Sequence, residues 1–239
     1  MTKPIERDPI FRKRVFDVDI IVLCVRWYVS YRLTYRDLLE IMTERGVNVA
    51  HSTILRWVIR YLREFEKRWD RLRRRVGGSW RCDETDVCIR GQWHYLYRAV
   101  DQHSQTIDFL LRRDRRIAAA QAFFRKALDS NGQPFPRTVT LDAHVPSRSA
   151  LCKLRREHVK WRHVRVRTNK YLNNLVEQEH RGIKARCGPT KGFKSFSTAS
   201  VTLAGFELAH RMRKRQFNFR RRGRRFAVNR KSDWEFALA

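Results

Sequence analysis

An all-α unit followed by an α/β domain is the fold class that this sequence predicts, and three observations carry it. Residues 17–65 read as helices with apolar side chains at helical spacing. The texture changes after Gly77-Gly78-Ser79, where two strand-like runs flank Arg90-Gly91. Helical and short apolar segments then take turns up to residue 187, the alternation expected of an α/β layer arrangement.

The elements follow in order. DVDIIVLCVRWYVSY is a first helix, and TYRDLLEIMTERG (34–46) a second, opened by a Thr N-cap and closed by Gly46. Ser52 can cap a third, STILRWVIRYLREF, in which Ile54, Val58 and Tyr61 recur on one face and Arg56, Arg60 and Arg63 on another. One face packs and the other is basic, the pattern of a helix-turn-helix with a recognition helix, here weighed against a plain three-helix unit. WRCDETDVCIRGQWHYLYRAVD and TIDFLLRR form a three-stranded meander, RIAAAQAFFRKALDS is a helix and RTVTLD a buried strand. SRSALCKLRRE is a helix, HVKWRHVRV a strand and 173–187 a last helix. Length and order suit a ribonuclease H-like sheet, although periodicity cannot give strand order. The expected division is a helix-turn-helix domain at 1–65, a linker at 66–79, the ribonuclease H-like domain at 80–200, and a C-terminal helix with a basic tail at 201–239.

Charge narrows the function. The chain carries 53 Lys+Arg against 24 Asp+Glu, a net charge of +29, together with enough apolar residues (42%) for a real core. Such self-repulsion is tolerated best beside a polyanion, and nucleic acid is the common one. Eleven Lys/Arg lie between Arg211 and Lys231, interleaved with Phe217, Phe219 and Phe226, as a phosphate-contacting run would be. The apolar run Ile20–Val25 ends at Arg26, far short of the roughly 20 residues that span a bilayer, and the charged N-terminus is no secretory signal. Five scattered cysteines without C-x-x-C spacing argue against a zinc site and for a reducing cytoplasm.

Chemistry on a phosphodiester needs hard cations, and these need carboxylates. Asp83 and Glu84 lie on opposite faces of the first strand, and periodicity does not choose between them. Asp142 ends a short apolar strand, where α/β sites are usually built. In NNLVEQEHRGIKARCG (173–188), Lys184 falls within about 20° of Glu177 around a helix, with His180 and Arg181 flanking. Val176, Ile183 and Cys187 form an adjoining apolar stripe; Glu179, about 200° from Glu177, groups with Arg186 and reads as solvent-facing and dispensable.

Taken together these blocks resemble the DDE-class transposases of the insertion-sequence-six family. YRLTYRDLLEIMTERGVNVAHSTILRWVIRY resembles the family's helix-turn-helix, WRCDETDVCIRGQWHYLYRAVD its block around the first aspartate, and YLNNLVEQEHRGIKAR with GFKSFSTASVTLAGFELAHRMRKRQ its block around the glutamate and beyond. The resemblance places the catalytic, metal-binding triad on Asp83, Asp142 and Glu177, with the family's spacing of 34 residues between the last two. Its basic residue falls on Lys184. It implies two Mg2+ ions, replaceable by Mn2+, and replicative, cointegrate-forming transposition. The implied partners are terminal inverted repeats and target DNA, bound by a homodimer or larger assembly in the cytoplasm at the nucleoid. Ser52, Thr53, Arg56, Arg60, Arg181 and Lys184 are the expected DNA contacts. The segment after Asp142 departs from the family pattern, with Ala143, His144 and Ser147 where many members carry lysine and tyrosine. The rival readings are a ribonuclease H-like nuclease and a helix-turn-helix regulator without catalysis.

Overall fold

The computed structural model describes residues 11, 15–129, 134–142, 145–169, 174–188, 192–218 and 234. The chain divides into two compact units: residues 1–72, 201–210 and 217–239 form one, and residues 73–200 and 211–216 the other.

In the first unit, α1 (Val18–Ser30) starts at Asp17, whose side chain accepts from the Asp19 amide. The second helix, α2 (Tyr35–Thr43), opens with a reciprocal capping box between Thr34 and Asp37. Gly46 takes φ +71° behind it, the left-handed conformation that lets the chain turn towards the third helix. That helix, α3, runs from His51 to Asp70, so residues 66–70 continue it instead of forming a linker. Its N-cap is Ala50, without a side-chain cap, and the Ala50 carbonyl accepts from the Thr53 and Ile54 amides. Ser52 therefore sits in the first turn and does not cap it. Ile54, Val58 and Tyr61 are buried while Arg56, Arg60 and Arg63 are exposed, as the two-faced pattern predicts.

The long helix α8 (Phe196–Arg213) begins earlier than the expected boundary at 201. Within the helical unit its Gly205 meets α1 and α3: a Cβ there would overlap Leu62 and lie 2.8 Å from Val29. Phe217 packs edge-on against Trp69 at 4.6 Å and is 1% exposed, so this phenylalanine of the basic run belongs to a core. Phe219, Phe226 and the rest of the run from 219 to 231 lie outside the described residues.

The second unit is built on a five-stranded sheet: β1 (Ser79–Ile89), β2 (Gln92–Asp101), β3 (Thr106–Arg112), β4 (Thr138–Leu141) and β5 (Arg165–Thr168). Arg90 and Gly91, at φ 51° and 75°, make the two-residue turn between β1 and β2. The sheet order is β3-β2-β1-β4-β5, with β2 antiparallel to its neighbours and β4 and β5 parallel to β1, which is the ribonuclease H-like arrangement. On one face α4 (Ile117–Asp129) and α5 (Val145–Glu157) bury Trp80, Cys82, Tyr97, Ala99, Val139 and Leu141. Against β1 and β2 also packs α7 (Asn174–Cys187), with Val176 and Ile183 buried.

The expected strand HVKWRHVRV is only half strand. Val159–Arg162 form a single helical turn, α6, and β5 begins at Arg165. Trp161 explains the difference: it is 2% exposed, against Phe124 and Phe135 at 6.0 and 5.1 Å, and the turn carries it into the core. The alternation Val-Lys-Trp-Arg is thus one buried aromatic beside an exposed Val159.

Replacing Gly205 with Val should overpack the junction of α1, α3 and α8 and cost about 1–3 kcal/mol. The readout is a lower denaturant midpoint with an unchanged urea slope.

Candidate active site

The site is assembled by the parallel pairing of β4 with β1. Leu141, the last residue of β4, stands beside Cys82, so Asp142 emerges level with Asp83 and Glu84. Those two point to opposite faces of β1, yet one carboxylate oxygen from each, together with one from Asp142, lies within 4.8 Å of the others. Ser147 of α5 donates to Glu84 at 3.3 Å, and the Glu84 amide donates to Asp83 at 2.9 Å. Ala143 and His144 lie outside the described residues.

The carboxylates repel one another in a partly buried place. Burial first, then the Asp142 charge, pushes the Asp83 carboxyl up to about 7; the Glu84 amide and Lys184 oppose this, while Glu177 adds to it. Glu84 is also pushed up to about 7, by burial and then by Asp142 and Asp83, against Ser147 and Arg115. A set of hard oxygen donors held together against their own repulsion fits a divalent cation such as Mg2+ or Mn2+, which would relieve it.

Helix α7 brings the remaining residues. Glu177, Arg181 and Lys184 are exposed along one side of it, and the charges of Glu177 and Lys184 both act on Asp83. Glu177 thus stands beside the acid cluster but outside the group within 4.8 Å. His180 does not share their exposed side; it is buried, with Nδ1 3.6 Å from an Asp83 oxygen. Burial and the Arg98 and Lys184 charges pull its pKa down to about 3, so the imidazole is neutral.

Glu179 overturns the helix-wheel expectation. Its carboxylate accepts from Arg98 at 3.1 Å and from Lys214 at 2.7 Å, and its side chain is 12% exposed. Arg98 is the register partner of Asp83 on β2 and is fully buried. The side of α7 away from Glu177 faces the sheet, and Glu179 ties the helix to the strand beside Asp83. Arg186, expected on the same solvent face, is 7% exposed.

A family profile described as the DDE domain, of the IS240 transposase type, matches residues 77–216. The chain is 38% identical over 205 residues to the transposase for insertion sequence-like element IS431mec of Staphylococcus aureus (strain Mu50 / ATCC 700699), covering 86% of this chain and 89% of the relative. The same figures hold for the Staphylococcus aureus transposase for insertion sequence element IS257 in transposon Tn4003. The chain belongs to the insertion-sequence-six family of DDE transposases. Among solved structures, the HTLV-2 integrase catalytic core domain in complex with magnesium (trimeric form) is similar at 13% identity and TM-score 0.42, covering 55% of this chain and 84% of that one. The BIV integrase catalytic core domain is similar at 15% and 0.38, covering 55% and 82%.

As a member of that family the transposase is an enzyme of DNA cleavage and transfer. Its expected helix-turn-helix contacts lie on α3: Ser52 and Thr53 half-buried in the first turn, Arg56 and Arg60 exposed. The Arg60 guanidinium lies 5.8 Å from the Tyr61 ring. Among the described residues no helix is long and apolar enough to cross a membrane. The sequence reading left Glu84 undecided and missed Arg98. The CDET run held the signal for the first: two adjacent acids within one strand.

In the chelated transposase, Asp83 weakens the fold as pH rises from about 4 to about 7, because its folded pKa lies above its unfolded one. Asp83→Asn should therefore raise the thermal midpoint at pH 8, with the gain fading as pH falls towards 4. Added Mg2+ should stabilise the parent more than the variant. Glu179→Ala should cost about 3–5 kcal/mol in urea unfolding, since it leaves Arg98 buried without its carboxylate.

Proposed function

We propose that the cluster at the end of β1 and β4 is the catalytic centre of a transposase that cuts and joins the ends of its insertion sequence. The observation that carries this reading is the meeting of Asp83 and Asp142 within one oxygen cluster, with the Glu177 charge acting on the same carboxyl. Asp83, Asp142 and Glu177 would hold two Mg2+ ions, or Mn2+ in their place, which when bound activate an attacking oxygen and stabilise a leaving one. The chain's own groups do the rest. Lys184 and Arg181, exposed beside Glu177, hold a DNA phosphate at the cluster. Neutral His180 stands against Asp83 without adding a charge there, and the Arg98–Glu179 pair keeps α7 seated on the sheet.

In the first step water attacks a phosphodiester at the element end, the bond to the 3′-oxygen breaks, and that oxygen leaves as a hydroxyl. In the second, the freed 3′-hydroxyl attacks a target phosphodiester, forming one bond and expelling the target's own 3′-oxygen. No covalent protein intermediate is needed. The mode is replicative, joining donor and target as a cointegrate. The α2–α3 helix-turn-helix reads the terminal inverted repeats through Ser52, Thr53, Arg56 and Arg60, and two ends call for a dimer or larger assembly on DNA. The site of action is the nucleoid in the cytoplasm.

The test uses labelled ends taken from the DNA flanking the gene, with Mg2+ and a target plasmid. Glu177→Gln should abolish nicking and joining by more than a hundredfold while leaving end binding intact. Joining at the parental rate would sink the assignment, and nicking without joining by the parent would point to a nuclease instead.

A further inference from the structure

The sheet face that carries Glu84 does not stop at the acid cluster. Along β1 the face continues through Asp86 and Cys88, both exposed, towards the turn at Arg90-Gly91. Their partners on β2 are Tyr97 beside Glu84, Tyr95 beside Asp86 and Trp93 beside Cys88. The cover supplied by α4 and α5 runs out along this line. Tyr97 is 2% exposed and stacks on Phe123 at 5.7 Å, Tyr95 is half-buried, and Trp93 is 63% exposed.

Guanidinium groups line the same strip. Arg112 is the register partner of Tyr95 on β3 and so shares its face. Arg115 is exposed and places its guanidinium 5.4 Å from the Tyr95 ring. Its charge also acts on Glu84 and on Tyr97, the register partner of Glu84. Exposed Arg116 follows in the same loop, whereas the Arg113 guanidinium lies 5.3 Å from the Phe196 ring, beside His94 on the other face. An indole left open on the same strip as Tyr95 and its Arg115 guanidinium, in a chain of net charge +29, matches one kind of partner: a polyanion with flat apolar faces. In a duplex those faces are stacked on each other, so the indole gains a partner only from a base that is not paired.

We propose that Trp93, Tyr95 and Arg115 form a ledge that binds an unpaired DNA strand leaving the reactive phosphate, with a base stacked on Trp93 and a phosphate on Arg115. The inference rests on the reading of the acid cluster as the catalytic centre. Glu84 and Cys88 are four positions apart on β1, about 13 Å at strand rise. This corresponds to roughly four nucleotides at 3.4 Å each, and fewer if the strand is unstacked. The stacked base therefore lies a few positions from the phosphate under attack.

The experiment is binding of the full-length protein, in chelator and thus without chemistry, to a duplex carrying a short unpaired tract and to its fully paired counterpart. The unpaired bases include the fluorescent analogue 2-aminopurine. The parent should prefer the unpaired probe and quench its fluorescence. Trp93→Ala should lose about 5- to 150-fold of that preference, the range that one base–aromatic stack supplies, together with the quenching. Trp93→Phe should keep most of both, and Arg115→Ala should weaken binding and lower its salt dependence. Moving the unpaired tract from an element end to a target duplex tells which strand uses the ledge, through which of the two is quenched. Unchanged preference and quenching in Trp93→Ala would overturn the proposal. So would a change in oligomeric state without DNA, since the indole would then belong to a contact between copies. The binding is read in chelator and the catalytic assignment by nicking and joining with Mg2+, so the ledge can fail while the catalytic centre stands, and the reverse.

Discussion

The parallel pairing of β4 with β1 is the constraint on which the candidate site depends. It is only four residues long, from Ser79 beside Thr138 to Cys82 beside Leu141, and it determines where Asp142 emerges. A slip of one residue would turn Asp142 towards the other level of β1 and separate it from Asp83 and Glu84. The register is held by burial: Val139 and Leu141 share a core with Trp80 and Cys82, and α4 and α5 cover it. Hydrophobic packing thus sets the position of carboxylates that repel each other, and the sheet tolerates the repulsion because its core is large.

A second support comes from the helix side. α7 presents Glu177 and Lys184 at its rim and inserts Val176, His180 and Ile183 inward, with Glu179 against Arg98 and Lys214. A helix docked by apolar contacts alone can rotate or slide by a fraction of a turn at small cost, whereas an ion pair to a fully buried guanidinium has one good geometry. Arg98 stands opposite Asp83 on the adjacent strand, so one side chain locates the helix relative to the acid on which the Glu177 charge acts.

Much of this was legible in the residues, for reasons that differ from place to place. The meander and its turn at Arg90-Gly91 were visible because alternation and turn chemistry agree there. The helices α1, α2 and α3 were visible from apolar spacing and caps, and in α3 the apolar and basic faces separate cleanly. Glu179 was misread because a helical wheel gives angles and cannot say what stands opposite; Arg98 lies 81 residues away in sequence. Trp161 misled in a similar way, since a period of two over four residues is shared by a strand and by a turn with one buried aromatic. Ser52 looked like a cap, but Ala50 took that place. The family resemblance supplied the triad, and local periodicity alone would have left Asp83 and Glu84 level.

The raised carboxyls at the end of β1 set two kinds of selection against each other. A change that removes one of these acids relieves repulsion, and on the proposed reading of the cluster the resulting chain would fold more firmly while losing the means to hold cations. Inactive copies would then be the better-behaved proteins: abundant, basic and still able to occupy DNA. A cell carrying both kinds would hold competitors for the ends that active copies must find. Solubility and yield are accordingly poor guides to which copies of such an element can still move.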